Sequence, residues 1–188
     1  MPARPQALAY ADVHRQSQAE AHRVAGALTD EQFNWSPESG GWSVGECLAH
    51  LNVVAQAYLP LVEAATADGA PRAEGPFEYG FLARKVAGAV QPDGPALRTG
   101  AALDPSRRDR RAPLDRDRTL AAFDGHAGRY VAACERADGL DLARIKVRYP
   151  FMRLLRLPLG AVLGLTGQHA LRHLAQARRV ASGLGFPA

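Results

Sequence analysis

Apolar side chains recur at intervals of three and four residues along four stretches of the chain, separated by segments rich in Gly, Pro and polar residues. This spacing lines one face of an α-helix, and no alternating strand pattern of useful length competes with it. The sequence therefore predicts an all-α fold, in which four long helices bury their apolar faces against one another as a four-helix bundle. We predict these helices over about residues 6–28, 43–65, 116–137 and 158–182.

Two of the predicted helix starts carry local signals. Ser43 stands three residues before Glu46, the spacing of a capping box in which the hydroxyl and the carboxylate each bond a free backbone amide. Trp42, just before the cap, is placed to staple onto the helix that follows. Pro158 is favoured in a first helical turn, because its missing N–H would have had no intrahelical partner.

The connection between the second and third long helices is unusually long. Residues 66–117 are rich in Gly, Pro and charge, with one short helical candidate at about residues 77–90. A connection of this length within a small domain often lies over a site as a lid or a wall. A second crossing, at residues 142–152, is predicted as an extended connection or a short helix. The apolar run that follows it, residues 154–165, is predicted as the start of a buried helix.

The composition predicts a single folded domain that spans residues 1–188. Hydrophobic residues make up 47% and charged residues 22% of the chain, which is typical of globular proteins and unlike a disordered one. Cys47 and Cys134 have no CxxC partner, so neither a zinc ribbon nor a disulfide scaffold is indicated, and we expect both to be buried. The sequence shows no signal-peptide pattern and no membrane-spanning stretch. We therefore expect a cytoplasmic protein with no membrane partner.

The formal net charge is +4, and it comes from arginine, since only Lys85 and Lys146 among the 23 basic residues are lysines. The densest basic run, residues 107–111, is interrupted by Asp109, and the chain has no basic helix or aromatic platform. We interpret this run as a solvated loop and expect no nucleic-acid partner. The weak positive balance favours an anionic small molecule as the substrate.

Three of the six histidines form a candidate metal site. His169 and His173 are four residues apart in the last predicted helix, so their imidazoles lie on one face, a turn apart. His50 lies on a mainly apolar, inward face of another helix. Three neutral imidazoles hold a divalent transition metal and leave positions open for water or substrate. The competing interpretation is a set of core histidines satisfied by hydrogen bonds, with Gln176 as the partner of His173.

The other three histidines, His14, His22 and His126, lack a paired spacing, and we expect them to be surface or hydrogen-bonded residues. Glu46 lies one turn before His50 and could orient that imidazole, but the capping box already gives its carboxylate a sufficient structural role. The residue pattern by itself assigns no catalytic side chain beyond the candidate metal ligands.

Two segments of the chain resemble motifs of the DinB-like superfamily, a group of metal-binding four-helix bundles that includes bacillithiol transferases and mycothiol-dependent maleylpyruvate isomerases. Residues 41–51 are similar to its Trp-Ser-x-x-Glu-x-x-x-His start of the second helix. Residues 169–176 are similar to its His-x-x-x-His-x-x-Gln motif in the fourth helix. Together with the helix order, the resemblance covers nearly the whole chain, although residues 66–117 match no motif that we can name.

The resemblance implies a function as well as a fold. His50, His169 and His173 would each supply one nitrogen to zinc, nickel or a similar divalent ion in a cleft between helices. The ion would activate a low-molecular-weight thiol or a water, for thiol transfer to a small-molecule substrate or for its hydrolysis. Arg148 and Arg172 would either hold the carboxylates of the thiol or remain solvated charges. A homodimer is expected by analogy. The alternative is a stress-related bundle protein that binds a metal or a small ligand without turnover.

Overall fold

Helices account for most of the computed structural model, which describes residues 5–38, 40–67, 69–91, 104, 112–152 and 154–188. Its long helices are α1 Gln6–Ala25, α3 Val44–Ala65, α5 Arg116–Arg136 and α6 Leu159–Ala181. The connections between them hold α2 Asp30–Asn34, α4 Phe81–Ala89 and the antiparallel strands β1 Lys146–Arg148 and β2 Arg156–Pro158. The predicted all-α class and its long helices are confirmed.

The long helices pack in a square. α1 and α3 each lie against both α5 and α6, while α1 and α3 make little contact with each other. Two groups of buried apolar side chains fill the interior. The group near the hairpin includes Tyr58, Leu59, Leu157 and Leu163, and the group near α2 includes Phe33, Leu48, Phe123 and Leu174. Full burial of one such side chain contributes about 1.5–3 kcal/mol to folding, so these groups are the main source of stability.

The predicted capping box at the start of α3 is confirmed. The Ser43 amide donates to Glu46 Oε2 at 2.9 Å, and the Glu46 amide donates to Ser43 Oγ at 3.0 Å. A second capping box, between Thr29 and Gln32, starts α2 within a stretch that the apolar pattern did not predict as helical. Five residues are too few to show a helical period, which is why the pattern does not reveal α2. Its Phe33 is nevertheless fully buried.

The crossing before α6 folds as a hairpin. Val147 on β1 pairs with Leu157 on β2, and both side chains are buried. Each strand has only three residues, and on β2 the buried Leu157 is followed directly by the buried Pro158, so no alternation is visible in the sequence. The predicted start of the last helix at about residue 158 is confirmed, because α6 begins at Leu159. The apolar run before it is not buried throughout, since Leu154 lies in the hairpin turn with a relative exposure of 99%.

The described parts of the long connection run along the outside of the bundle. The Gln6 side chain holds the backbone of Phe77, accepting from its amide at 2.9 Å and donating to its carbonyl at 3.3 Å. α4 then packs against α6, and Asn34 accepts a hydrogen bond from the Leu114 amide at 2.7 Å. The basic run at residues 107–111 lies outside the described residues.

The structure also tests the predictions about the two cysteines and about membrane-spanning helices. Cys47 and Cys134 are both buried and free, as predicted, and burial raises the pKa of each thiol to about 12. Among the helices of the described ranges, none combines the length and the apolar character needed to cross a bilayer.

A glycine in the first turn of α3 lets α2 pack closely against that helix. A Cβ at Gly45 would lie 2.7 Å from Phe33 Cε1 and 3.1 Å from Leu114 Cδ1. We expect Gly45→Ala to lower the free energy of unfolding by about 1–3 kcal/mol, because the methyl group overpacks the contact. The control is Gly128→Ala on α5, where a Cβ meets nothing within 4 Å.

We expect Gly128→Ala to raise the free energy of unfolding by about 0.5–1 kcal/mol, because alanine favours the helix over glycine. Denaturant titration of both variants, followed by circular dichroism, measures the difference. A gain in stability for Gly45→Ala as large as that for Gly128→Ala would contradict the close packing of α2 on α3.

Candidate metal centre

The side chains of His50, His169 and His173 meet between α3 and α6. Each ring offers one nitrogen, and these three atoms all lie within 4.8 Å of one another. The Nε2 atoms of His50 and His169 are 3.4 Å apart. Two nitrogens that each lie about 2.0–2.1 Å from a tetrahedral zinc ion are separated by roughly 3.4 Å. The predicted trio is therefore brought together at a spacing that fits a single metal ion.

Local sequence explains how the helices present these rings. The capping box fixes the first turn of α3, and His50 lies two turns later on its inward face, with a relative exposure of 3%. On α6, the four-residue spacing places His169 and His173 on the same face, and their ring centroids are 4.6 Å apart. Gly167 allows α1 to approach α6 beside them, since a Cβ there would lie 2.8 Å from Val13 Cγ1.

Trp42 forms an aromatic wall of the cluster. Its ring centroid lies 4.9 Å from that of His50 and 5.3 Å from that of His173, nearly parallel to the latter with an angle of 22° between planes. The sequence indicated only a staple onto α3, so contact with two candidate ligands was missed. The available signal was the position of Trp42 in the motif that ends at His50.

An outer hydrogen bond fixes the orientation of His173. Its Nδ1 lies 3.0 Å from Gln176 Oε1, and since a carbonyl oxygen only accepts, Nδ1 carries the proton. The lone pair is then on Nε2, the nitrogen that is free to bind a metal. The predicted Gln176 contact therefore exists, and it serves a metal ligand as well as it serves a core histidine.

Burial keeps the paired imidazoles of α6 neutral. Loss of hydration, followed by the charge of the neighbouring His50, lowers the pKa of His173 to about 3, although the hydrogen bond with Gln176 opposes this shift. Desolvation, followed by the charges of His173 and His50, lowers the pKa of His169 well below its usual range. Both rings are consequently in the unprotonated form that binds a metal at neutral pH.

The two arginines considered as thiol-binding groups lie in different places. Arg172 Nη1 donates to the carbonyl oxygen of Gln91 at 2.6 Å, which ties the segment after α4 to the helix turn that carries His173. Arg148 is exposed on β1 and lines a groove together with Pro60 of α3. Pro60 follows His50 by ten residues, so the two residues are about 15 Å apart along the helix axis. Of the two arginines, only Arg172 adjoins the cluster.

The remaining histidines divide into three cases. His22 is exposed, and its Nε2 lies 2.8 Å from Asp124 Oδ2. His126 Nδ1 lies 3.0 Å from Asn52 Oδ1, so this ring is hydrogen-bonded. Both agree with the expectation of surface or hydrogen-bonded residues. His14 also fits the expectation, because it forms a hydrogen bond with the backbone of Leu163. It is buried, with a relative exposure of 2%, and it stacks on Tyr130 at a centroid distance of 4.5 Å. The apolar pattern gave no reason to place a histidine inward on α1.

The two tryptophans give a direct optical test of the cluster. We expect Ni²⁺ or Co²⁺ added to metal-free protein to quench tryptophan emission, because an open-shell ion beside an indole deactivates its excited state. Trp42 contacts two of the rings, whereas Trp35 packs against Phe186 at a centroid distance of 5.5 Å. Trp35→Phe should keep the response and Trp42→Phe should lose it. Equal quenching in the two variants would place the ion elsewhere.

Comparison with known proteins places this geometry in a family. A sequence model of the DinB superfamily matches residues 14–177, a range that includes all three histidines of the cluster. The solved structure of YfiT from Bacillus subtilis, described as a probable metal-dependent hydrolase with an unusual four-helix bundle topology, is similar with a TM-score of 0.61. The sequences are 17% identical, and the match covers 95% of this chain and 87% of YfiT. No curated protein matches the chain. The protein belongs to the DinB superfamily.

Proposed function

We propose that this protein is a metal-dependent enzyme whose divalent ion, zinc or nickel, is held by His50, His169 and His173. The observation that carries the proposal is the convergence of three ring nitrogens within 4.8 Å. An ion bound there supplies Lewis acidity and lowers the pKa of a water or a thiol that binds to it. The reaction is hydrolysis of a small molecule or transfer of a low-molecular-weight thiol to it.

The number and charge of the protein ligands favour catalysis. The cluster contains no fourth His, Cys, Asp or Glu from the residues that the structure describes. Structural zinc sites close the shell with four protein ligands, whereas catalytic sites use three and leave a position open. Neutral imidazoles also leave the full charge of the ion available to polarise a bound group. Trp42 and Gln176 hold the rings in place around that position.

The comparisons bear on the choice between hydrolysis and thiol transfer. YfiT, which shares the fold, is described as a probable metal-dependent hydrolase, and this supports hydrolysis as one arm of the proposal. Thiol transfer is supported by the resemblance of the segments around His50 and His169 to motifs of a superfamily that includes thiol transferases. The net charge of +4 favours an anionic substrate in either case.

A non-catalytic metal-binding bundle is the second candidate function, and the burial of the cluster favours it. His50 and His173 have relative exposures of 3% and 8%, and Trp42 covers both rings. A small ion reaches such a site more easily than a substrate does. The two candidates share the same ligands and differ only in turnover.

The test compares metal-free protein with protein reconstituted with zinc or nickel. Each form is assayed against ester, amide and phosphoester substrates, and against an electrophile such as chlorodinitrobenzene with and without added thiol. We expect activity only in a reconstituted form, because the ion supplies the Lewis acidity. A reaction that requires the thiol indicates transfer, and one that proceeds without it indicates hydrolysis.

Two variants make the assay specific to the cluster. We expect His50→Ala to lower activity to the level of the metal-free protein, because it removes one ligand. His22→Ala removes an exposed histidine paired with Asp124 and should leave activity unchanged. Equal activity with and without metal would contradict the proposal, and full metal loading without turnover on any substrate class would favour the non-catalytic candidate.

A further inference from the structure

A small cavity adjoins the metal centre on the far side of His169. It has a volume of about 20 Å³ and is lined by residues of α1, α3, α5 and α6. Its polar lining comes from His14, Ser17, His126, Tyr130, Thr166 and His169. A space that holds one water needs roughly 10–15 Å³ measured in this way, so the cavity has room for a single water molecule.

Three buried polar atoms at this cavity lack a hydrogen-bond partner within the described parts of the chain. They are His14 Nε2, Tyr130 Oη and His169 Nδ1. The Thr166 hydroxyl lies close enough to Tyr130 to interact with it, but its proton is donated to the carbonyl oxygens of Val162 and Leu163, at 3.0 and 3.2 Å. Buried polar groups are nearly always hydrogen-bonded, either to protein or to ordered water. Three unsatisfied atoms around one water-sized space therefore indicate a bound water.

The two ligands on α6 differ in how their outer nitrogen is satisfied. His173 has Gln176 as its partner, whereas Nδ1 of His169 has none among the described residues. Nε2 of His169 faces His50 at 3.4 Å, so Nδ1 is the nitrogen that must carry the proton when the ring binds a metal. Metal-binding histidines almost always donate this proton to a carboxylate, a carbonyl or a water.

We propose that one buried water occupies the cavity, accepts a hydrogen bond from His169 Nδ1 and is held by His14 Nε2 and Tyr130 Oη. His14 and Tyr130 are thereby positioning residues of the metal centre. His14 forms a hydrogen bond with the backbone of Leu163, so its Nδ1 carries the proton and its Nε2 accepts a hydrogen from the water. The two hydrogens and two lone pairs of a water are enough to satisfy all three atoms. Stacking of the His14 and Tyr130 rings, with planes 7° apart, holds the two side chains together in the lining of the cavity.

This inference rests on the proposed function only in treating His169 as a metal ligand. The water itself is tested without metal. In a high-resolution crystal structure of the metal-free protein, we expect density in the cavity within hydrogen-bond distance of His169 Nδ1 and of His14 Nε2 or Tyr130 Oη. An empty cavity, or a direct bond from His169 Nδ1 to protein, would overturn the proposal.

The positioning role is tested with three variants. His14→Phe keeps the stacked ring and removes the nitrogen, and Tyr130→Phe removes only the hydroxyl. Tyr79→Phe is the control, because it removes a partly buried hydroxyl that bonds Tyr10 and Gln6 rather than the cavity. We expect the first two to weaken zinc binding by about 10- to 100-fold, measured by competition with a chelating dye, and the control to leave it unchanged.

A second readout does not depend on metal binding. Long-range ¹H–¹⁵N spectra of the metal-free protein should show His169 as the Nδ1–H tautomer in the parent and as a mixture in His14→Phe. Thermal unfolding confirms that each variant is folded, and Tyr130→Phe remains informative if His14→Phe is not. Unchanged tautomer and unchanged zinc affinity in both variants would overturn the positioning role. Failure of the parent to bind either zinc or nickel would overturn the proposed function while leaving the water and the tautomer measurable.

Discussion

A layer of buried polar side chains crosses the core, and the rest of the structure is arranged around it. Along α6, Leu165 belongs to one apolar group and Ala170 to the other, with the buried Thr166 and the half-buried His169 between them. On α1, His14 lines a cavity with His169, and on α3 the His50 ring lies against that of His169 at a centroid distance of 5.2 Å. Burying a polar group without a hydrogen bond costs about 1–3 kcal/mol, so a layer of this kind persists only if each group is satisfied. Burial of the two apolar groups offsets the free-energy cost of the polar layer.

A metal ion satisfies this layer better than hydrogen bonds alone. Three imidazole nitrogens converge within 4.8 Å, and a proton shared between two of them satisfies only one pair. A cation at the centre accepts three lone pairs at once. The outer nitrogens then set the orientation of the rings, through Gln176 for His173 and through the proposed water for His169. The same hydrogen bonds therefore satisfy buried polar atoms of the core and orient the rings of the candidate ligands.

The parts of the site that the sequence predicted are those that lie on long regular elements. The four-residue spacing placed His169 and His173 together, and the capping box fixed the face of α3 that carries His50. Contacts between distant segments could not be predicted in this way. The position of Trp42 over two rings and the burial of His14 against Tyr130 depend on how the helices pack, which periodicity does not specify. The sequence did not predict α2 or the hairpin, because both are too short to show a period of apolar residues.

The central claim is that the three histidines bind a metal ion, and the most direct measurement is metal content by plasma mass spectrometry. Untagged protein, purified without chelator, is compared with the triple variant His50→Ala, His169→Ala, His173→Ala. We expect near-stoichiometric zinc or nickel in the parent and only trace metal in the variant. Equal trace amounts in both would contradict the claim and leave a helical bundle with core histidines.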